Sequence, residues 1–200
     1  MKGKWAAGIQ PRNFCWIMQD RLAVCERPGG QSESHRRVRR TEEILWIRKQ
    51  GFSRVVSLMP STHNLHSYSE QKIAWSHWPL SDTEEYDHRL GTLFVELHSL
   101  LSRGEKLLVH RRGLSDEVCG LMAGYLLWMG MVPDESQVLV VVEKMTQRPI
   151  GSVGRRIVSA AAALPSPEVL LATTSAPDTE ADPDTEADTA SDAAPDTEEA

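Results

Sequence analysis

Apolar positions along the chain fall into two rhythms, and the alternation between them sets the expected architecture. Short continuous runs read as strands. They are Phe14-Cys15-Trp16-Ile17-Met18 and Leu22-Ala23-Val24-Cys25, hinged at Gln19-Asp20-Arg21, then Arg54 to Met59, Ile73 to Trp78, and Lys106 to His110. Pro60 and Pro79 stop two of them. Between them lie stretches with three- and four-residue spacing. The longest runs from Asp82 to Arg103, with Leu90, Leu93, Phe94, Leu97, Leu100 and Leu101 on one face and Gly104 as its stop. A helix is expected from Thr41, where a threonine cap precedes two acids, up to Gly51. Further helices are expected over Val118–Met129, Asp134–Gln147 and Val153–Leu164.

Strands alternating with helices predict an α/β fold, a single domain with a short, mostly parallel sheet flanked by helices. In such sheets ligand sites gather at the carboxyl ends of strands, which directs attention to the turns after Met59, Trp78 and His110.

Charge changes the picture at one end. The chain has 22 Lys and Arg against 28 Asp and Glu, yet ten of the acids and none of the bases fall in residues 173–200. The remainder is therefore mildly basic, at 22 minus 18, or +4. Pro177-Asp178-Thr179-Glu180-Ala181-Asp182 repeats at once as Pro183-Asp184-Thr185-Glu186-Ala187-Asp188, and a partial third copy begins at Pro195. Beyond Leu171 the chain has no large apolar residue, so the segment 165–200 reads as a disordered acidic repeat tail, and 1–10 as a flexible N-terminus, bracketing a domain over 11–164. No uninterrupted apolar run is long enough to cross a membrane. Three scattered cysteines without metal-ligand spacing suit free thiols in a cytoplasmic setting.

The chemistry concentrates where the last strand ends. Val109-His110-Arg111-Arg112-Gly113-Leu114-Ser115-Asp116-Glu117-Val118 has the grammar of strand, tight loop and helix N-terminus, where backbone N–H groups and the helix dipole bind anions. This stretch resembles the signature of the protein tyrosine and dual-specificity phosphatase superfamily, Val-His-Cys-x-x-Gly-x-x-Arg-Ser/Thr. The surroundings resemble it too. Gly51 to Leu58 looks like a helix-to-strand step, Trp78-Pro79-Leu80-Ser81-Asp82 looks like the loop carrying the general-acid aspartate, and a long helix then leads to the Val-His strand.

The resemblance covers about residues 11–160 and implies a role for each position. His110 matches the histidine beside the nucleophile. The nucleophilic cysteine is replaced by Arg111, and Arg112 and Gly113 take variable positions. Leu114 replaces a glycine, Ser115 and Asp116 are variable, Glu117 replaces the phosphate-gripping arginine, and Val118 replaces a hydroxyl. A protonated arginine cannot attack phosphorus, and a carboxylate repels phosphate. The resemblance thus implies a catalytically degenerate, pseudophosphatase-like domain. Asp116 and Glu117 also suit a helix start, with Ser115 as cap. Asp82, the general-acid position, also reads as a helix N-terminal residue.

Other constellations are weaker. Arg36, Arg37, Arg39 and Arg40 form the densest basic run, either a solvated helix approach or a docking patch for an acidic partner, a phosphate-rich surface or the chain's own tail. No aromatic interleaving supports specific nucleic-acid binding. His63-x-x-His66 has no third ligand at suitable spacing, so no metal and no cofactor is expected. Three function classes stand at this point. One is a non-catalytic module binding a protein or phosphorylated ligand, one is a phosphatase or phosphoester hydrolase with altered chemistry, and one is a scaffold acting through its charged segments.

Overall fold

The computed structural model describes residues 8–30, 36–80 and 83–174, with backbone alone at 36, 83–88 and 173–174. Asp82 and the acidic repeat therefore lie outside the described residues. Within them, Cys15–Met18 (β1) and Leu22–Glu26 (β2) form an antiparallel hairpin turning at Asp20, whose φ is 57°. Arg36–Lys49 (α1), Arg54–Ser57 (β3), His66–Glu70 (α2), Ala74–His77 (β4) and Thr83–Ser102 (α3) follow. The chain then forms Leu107–Arg111 (β5), Asp116–Trp128 (α4), Glu135–Thr146 (α5), Ser152–Ala162 (α6) and Pro167–Thr174 (α7).

The sheet order is β1-β2-β5-β3-β4, with every pairing except β1–β2 parallel. Strand β5 lies at the centre, bonded to β2 on one side and β3 on the other. Strand alternation splits its side chains between two cores. Leu107 and Val109 join Leu22, Val24, Val56, Phe94, Leu121 and Tyr125 beneath α3, α4 and α6. Leu108 joins Ala23, Cys25, Val55, Ile44, Ile47 and Tyr68 beneath α1 and α2. Because both faces are covered, these strands read as continuous apolar runs rather than alternating ones.

Helix α4 is apolar almost all round, and ten of its 13 residues are buried. It crosses α6 at backbone contact distance. A Cβ added to Gly120 would stand 2.4 Å from Gly154 Cα and 2.6 Å from its carbonyl oxygen. Asp116, at the first turn of α4, then accepts hydrogen bonds from the N–H groups of Gly151 (2.6 Å) and Gly154 (3.0 Å). It caps α6, not its own helix. This corrects the sequence reading of Asp116, whose partner is supplied by tertiary packing.

Three boundaries also differ from expectation. Helix α1 begins at Arg36, not Thr41, because arginines are good helix formers and Arg39 pairs with Glu43 one turn on (2.8 Å). Thr41 sits inside that helix, its hydroxyl donating to the Arg37 carbonyl at 3.0 Å. The folded unit does not stop at 164. Leu170 and Leu171 of α7 pack against the larger core, and Trp128 Nε1 donates to the Pro165 carbonyl at 2.9 Å. At the other end Gly8 lies against the backbone of Trp46, and Ile9 donates to Glu42 (3.1 Å), so residues 8–10 belong to the domain.

Gly120→Ala forces the α4–α6 backbones apart, since the contact is with backbone and not with a flexible side chain. The expected loss is about 2–3 kcal/mol of stability. It is measured as a lower urea midpoint with an unchanged slope.

Candidate functional site

The carboxyl ends of β2, β3 and β5 open onto a cleft of about 890 Å³. Arg111, Arg112, Gly113, Leu114, Ser115 and Glu117 form one wall, and Glu26, Arg27, Met59, His63 and Arg148 contribute from other segments. The sequence-predicted loop and the cleft therefore coincide.

Within the loop, Arg111 and Glu117 meet each other. Arg111 lies on the α3–α6 side of the sheet, in step with Leu107 and Val109. Its guanidinium reaches Glu117 Oε1 at 2.9 Å and donates to the Leu80 carbonyl at 3.0 Å. Both side chains are largely withdrawn from water, with 19% and 26% of their surface exposed. Burial opposes ionisation of Glu117. The Ser115 hydroxyl, its own backbone N–H and Arg111 outweigh burial and hold the carboxyl below the usual glutamate range. Ser115 Oγ is buried and does not reach regular hydrogen-bond geometry, so Arg111 is the firm partner. At 4 Å and an effective dielectric near 20, such a pair attracts by about 4 kcal/mol before desolvation is subtracted. An incoming phosphate would have to compete with that attraction and overcome repulsion from Glu117.

The rest of the loop is held by packing. Ser115 is extended (φ −86°, ψ 171°) and opens α4 without a side-chain cap bond, so its expected capping role is not realised. Leu114, 3% exposed, is buried in the larger core, and so is Val118. Gly113 accepts from the Ser115 N–H at 2.9 Å, and no residue from Arg111 to Ser115 has positive φ. The chain passes from strand to helix without needing glycine.

His110 points the other way, toward α1 and α2, as its register beside Cys25 and Ser57 requires. Its ring lies 5.9 Å from Tyr68, it is 1% exposed, and neither ring nitrogen has a hydrogen-bond partner among the described residues. Burial, with Arg27 and His77 nearby, lowers its pKa from 6.5 to about 3, so it is neutral in the folded chain. None of the three cysteines lines the cleft. Cys25 and Cys119 are buried, and burial raises both thiols. Cys15 Sγ donates to the Met145 carbonyl at 3.0 Å, and burial raises it as well.

Of the basic run, the side chain of Arg36 is outside the described set and Arg37 is exposed. Arg39 is engaged by Glu43, whose other oxygen accepts from the Gly29 N–H at 2.7 Å. Arg40 lines a small recess with Pro28, Asn64, Leu65, Tyr68 and His110, and this recess shares Arg27, Met59 and His63 with the main cleft. Sequence reasoning missed Arg27 and Arg148 as cleft residues. The one signal was Arg27's place just past a strand end, while Arg148 is brought in by the tertiary fold after the left-handed Gln147 (φ 55°). No group of three metal-ligating side chains is present, and no helix is long and apolar enough to cross a membrane, among the described residues.

A central parallel strand running into a tight loop and a buried helix, at the mouth of a cleft, defines the protein tyrosine and dual-specificity phosphatase fold. Solved structures of that class superpose on the chain. A kinase associated phosphatase with its catalytic-site cysteine replaced by serine matches at TM-score 0.62 and 16% identity, covering 78% of this chain and 99% of its own. The Siw14 catalytic core matches at 0.60 and 10%, covering 84% and 93%. TpbA of P. aeruginosa matches at 0.57 and 15%, covering 84% and 96%. No family model and no curated protein sequence matches the chain.

His110 also yields a pH signature. An unfolded histidine takes up its proton near 6.5, but the folded one only near 3. Between those values the unfolded chain binds more protons, so stability is fully present above pH 6.5 and falls as the pH drops, by up to about 1.4 kcal/mol per unit. His110→Leu should flatten that slope between pH 6.5 and 5, read from urea midpoints. A slope unchanged by the substitution would assign the acid sensitivity elsewhere.

Proposed function

We propose that the protein is a non-catalytic binding or regulatory module built on a phosphatase fold. The observation that supports this most directly is the Arg111–Glu117 ion pair, at 2.9 Å, spanning the loop where the resemblance puts a nucleophile and a phosphate clamp. Hydrolysis in that superfamily passes through a phosphocysteine. Here no cysteine lies in the loop, arginine is always protonated, and a carboxylate faces the space a phosphate would enter. The cleft keeps three further arginines, Arg27, Arg112 and Arg148, so the module binds acidic or phosphorylated ligands at its rim rather than cleaving them. The same reading takes the cytoplasm as its setting, supported by three free thiols.

Pure protein should give no hydrolysis of an aryl phosphate above the uncatalysed rate. A rate that disappears in Asp82→Asn would overturn the reading in favour of an enzyme with altered chemistry.

Single repairs should also fail. Arg111→Cys leaves Glu117 unpaired and still repelling phosphate, so neither turnover nor phosphate binding is expected. Glu117→Arg removes that carboxylate and should raise affinity for inorganic phosphate at least tenfold, measured by calorimetry, without conferring turnover.

A further inference from the structure

Two basic features that are far apart in sequence form one surface. The recess under Arg40 and the main cleft share Arg27, Met59 and His63. Arg40 on α1 thereby joins Arg27, Arg112 and Arg148 in a continuous cationic face, extended by Arg37 one turn before Arg40. Arg111 and Arg39 are neutralised by Glu117 and Glu43, and among the described residues lining the cleft and the recess the remaining carboxylate is that of Glu26, itself bonded to Asn13 Nδ2 at 3.3 Å. Arg37, Arg112 and Arg148 are exposed and make no ion pair among the described residues.

The chain carries a matching anion. In the repeats, Asp178, Glu180, Asp182, Asp184, Glu186 and Asp188 recur at every second position, and the six-residue period keeps them in phase. Alternate side chains of an extended backbone share a face, so these six carboxylates would form one acidic edge with charges about 6–7 Å apart. Pro177 and Pro183 disfavour helix at the residues before them and bias the segment toward extended backbone.

We infer that the acidic repeat at 177–188 docks in cis along the arginine face of the cleft and competes there with acidic or phosphorylated ligands. This rests on the cleft as a binding surface and not on the loss of hydrolysis.

Reach is sufficient. Residues 175–200 can extend on the order of 85 Å, against a domain diameter of roughly 40 Å. Strength is modest, because exposed ion pairs contribute only about 0.2–1 kcal/mol each. Tethering supplies an effective concentration in the millimolar range, so a millimolar contact is about half occupied. The docked state is therefore reversible, and salt removes it because screening shortens from about 10 Å at 0.1 M to about 3 Å at 1 M.

The test uses the full chain with a nitroxide on Ser191→Cys. Native thiols are replaced where they label, and the amides of 111–115 and 148 are observed by NMR. The expected result is broadening of those amides at 50 mM salt, lost at 500 mM and lost in Arg112→Glu/Arg148→Glu at low salt. Unbroadened amides at 50 mM, or broadening that survives the double substitution, would overturn the docking. Neither outcome touches the aryl phosphate assay, so a failure here is distinguishable from a failure of the functional reading.

Discussion

Strand β5 is bonded on both edges and covered on both faces, and this confinement governs everything at its end. The chain can leave only through a tight loop into α4, a helix whose own surface is almost wholly buried. Charge turned inward from that loop has little water to answer it, so it must be answered by neighbours. Two adjacent carboxylates solve this in opposite directions. Asp116 turns outward to cap α6 through two backbone N–H groups, and Glu117 turns inward to Arg111. The first ties the loop to α6 and the second ties it to Leu80, on the strap that leads toward Asp82.

These two ties work together with packing to hold the loop's shape. Leu114 and Val118 anchor it to the core, the Gly120–Gly154 contact fixes where α4 lies, and the hydrogen bonds of β5 to β2 and β3 set where the loop begins. The Arg111 guanidinium is received by a carboxylate six residues on. Arg111 and Glu117 are therefore two halves of one pair, and removing either alone would leave a half-buried charge unpaired.

Much of this was legible in the sequence, and what was not has a common cause. Five strands, the long helix after Trp78 and the loop after His110 all follow from local pattern. The hidden features depend on tertiary partners. The spacing of Asp116 suits a cap on its own helix, and only the approach of Gly151 and Gly154 redirects it. Glu117 reads as repulsion to phosphate until Arg111 is seen beside it. The early start of α1 rests on Glu43, held by Gly29 from a distant turn. Helix α2 is a single short turn with no periodicity to detect, and α7 is secured by two leucines against the larger core, Leu170 beside Gly91 of α3.

The cleft pairs one guanidinium at the loop's centre, Arg111 with Glu117, and carries further arginines at its rim. The centre is neutral by internal pairing. Attraction for anions lies at the rim, carried by arginines just past β2, on α1, in the loop and in the segment after α5. A centre of this kind disfavours a compact dianion such as phosphate, which needs converging donors. A rim of dispersed guanidinium groups favours an extended polyanion, which contacts several in turn with no single strong bond. Recognition on these terms is sensitive to charge spacing and salt more than to the chemical identity of any one group. On the reading proposed above, that is the physical difference between a site built to break a phosphate ester and a surface built to hold an acidic chain.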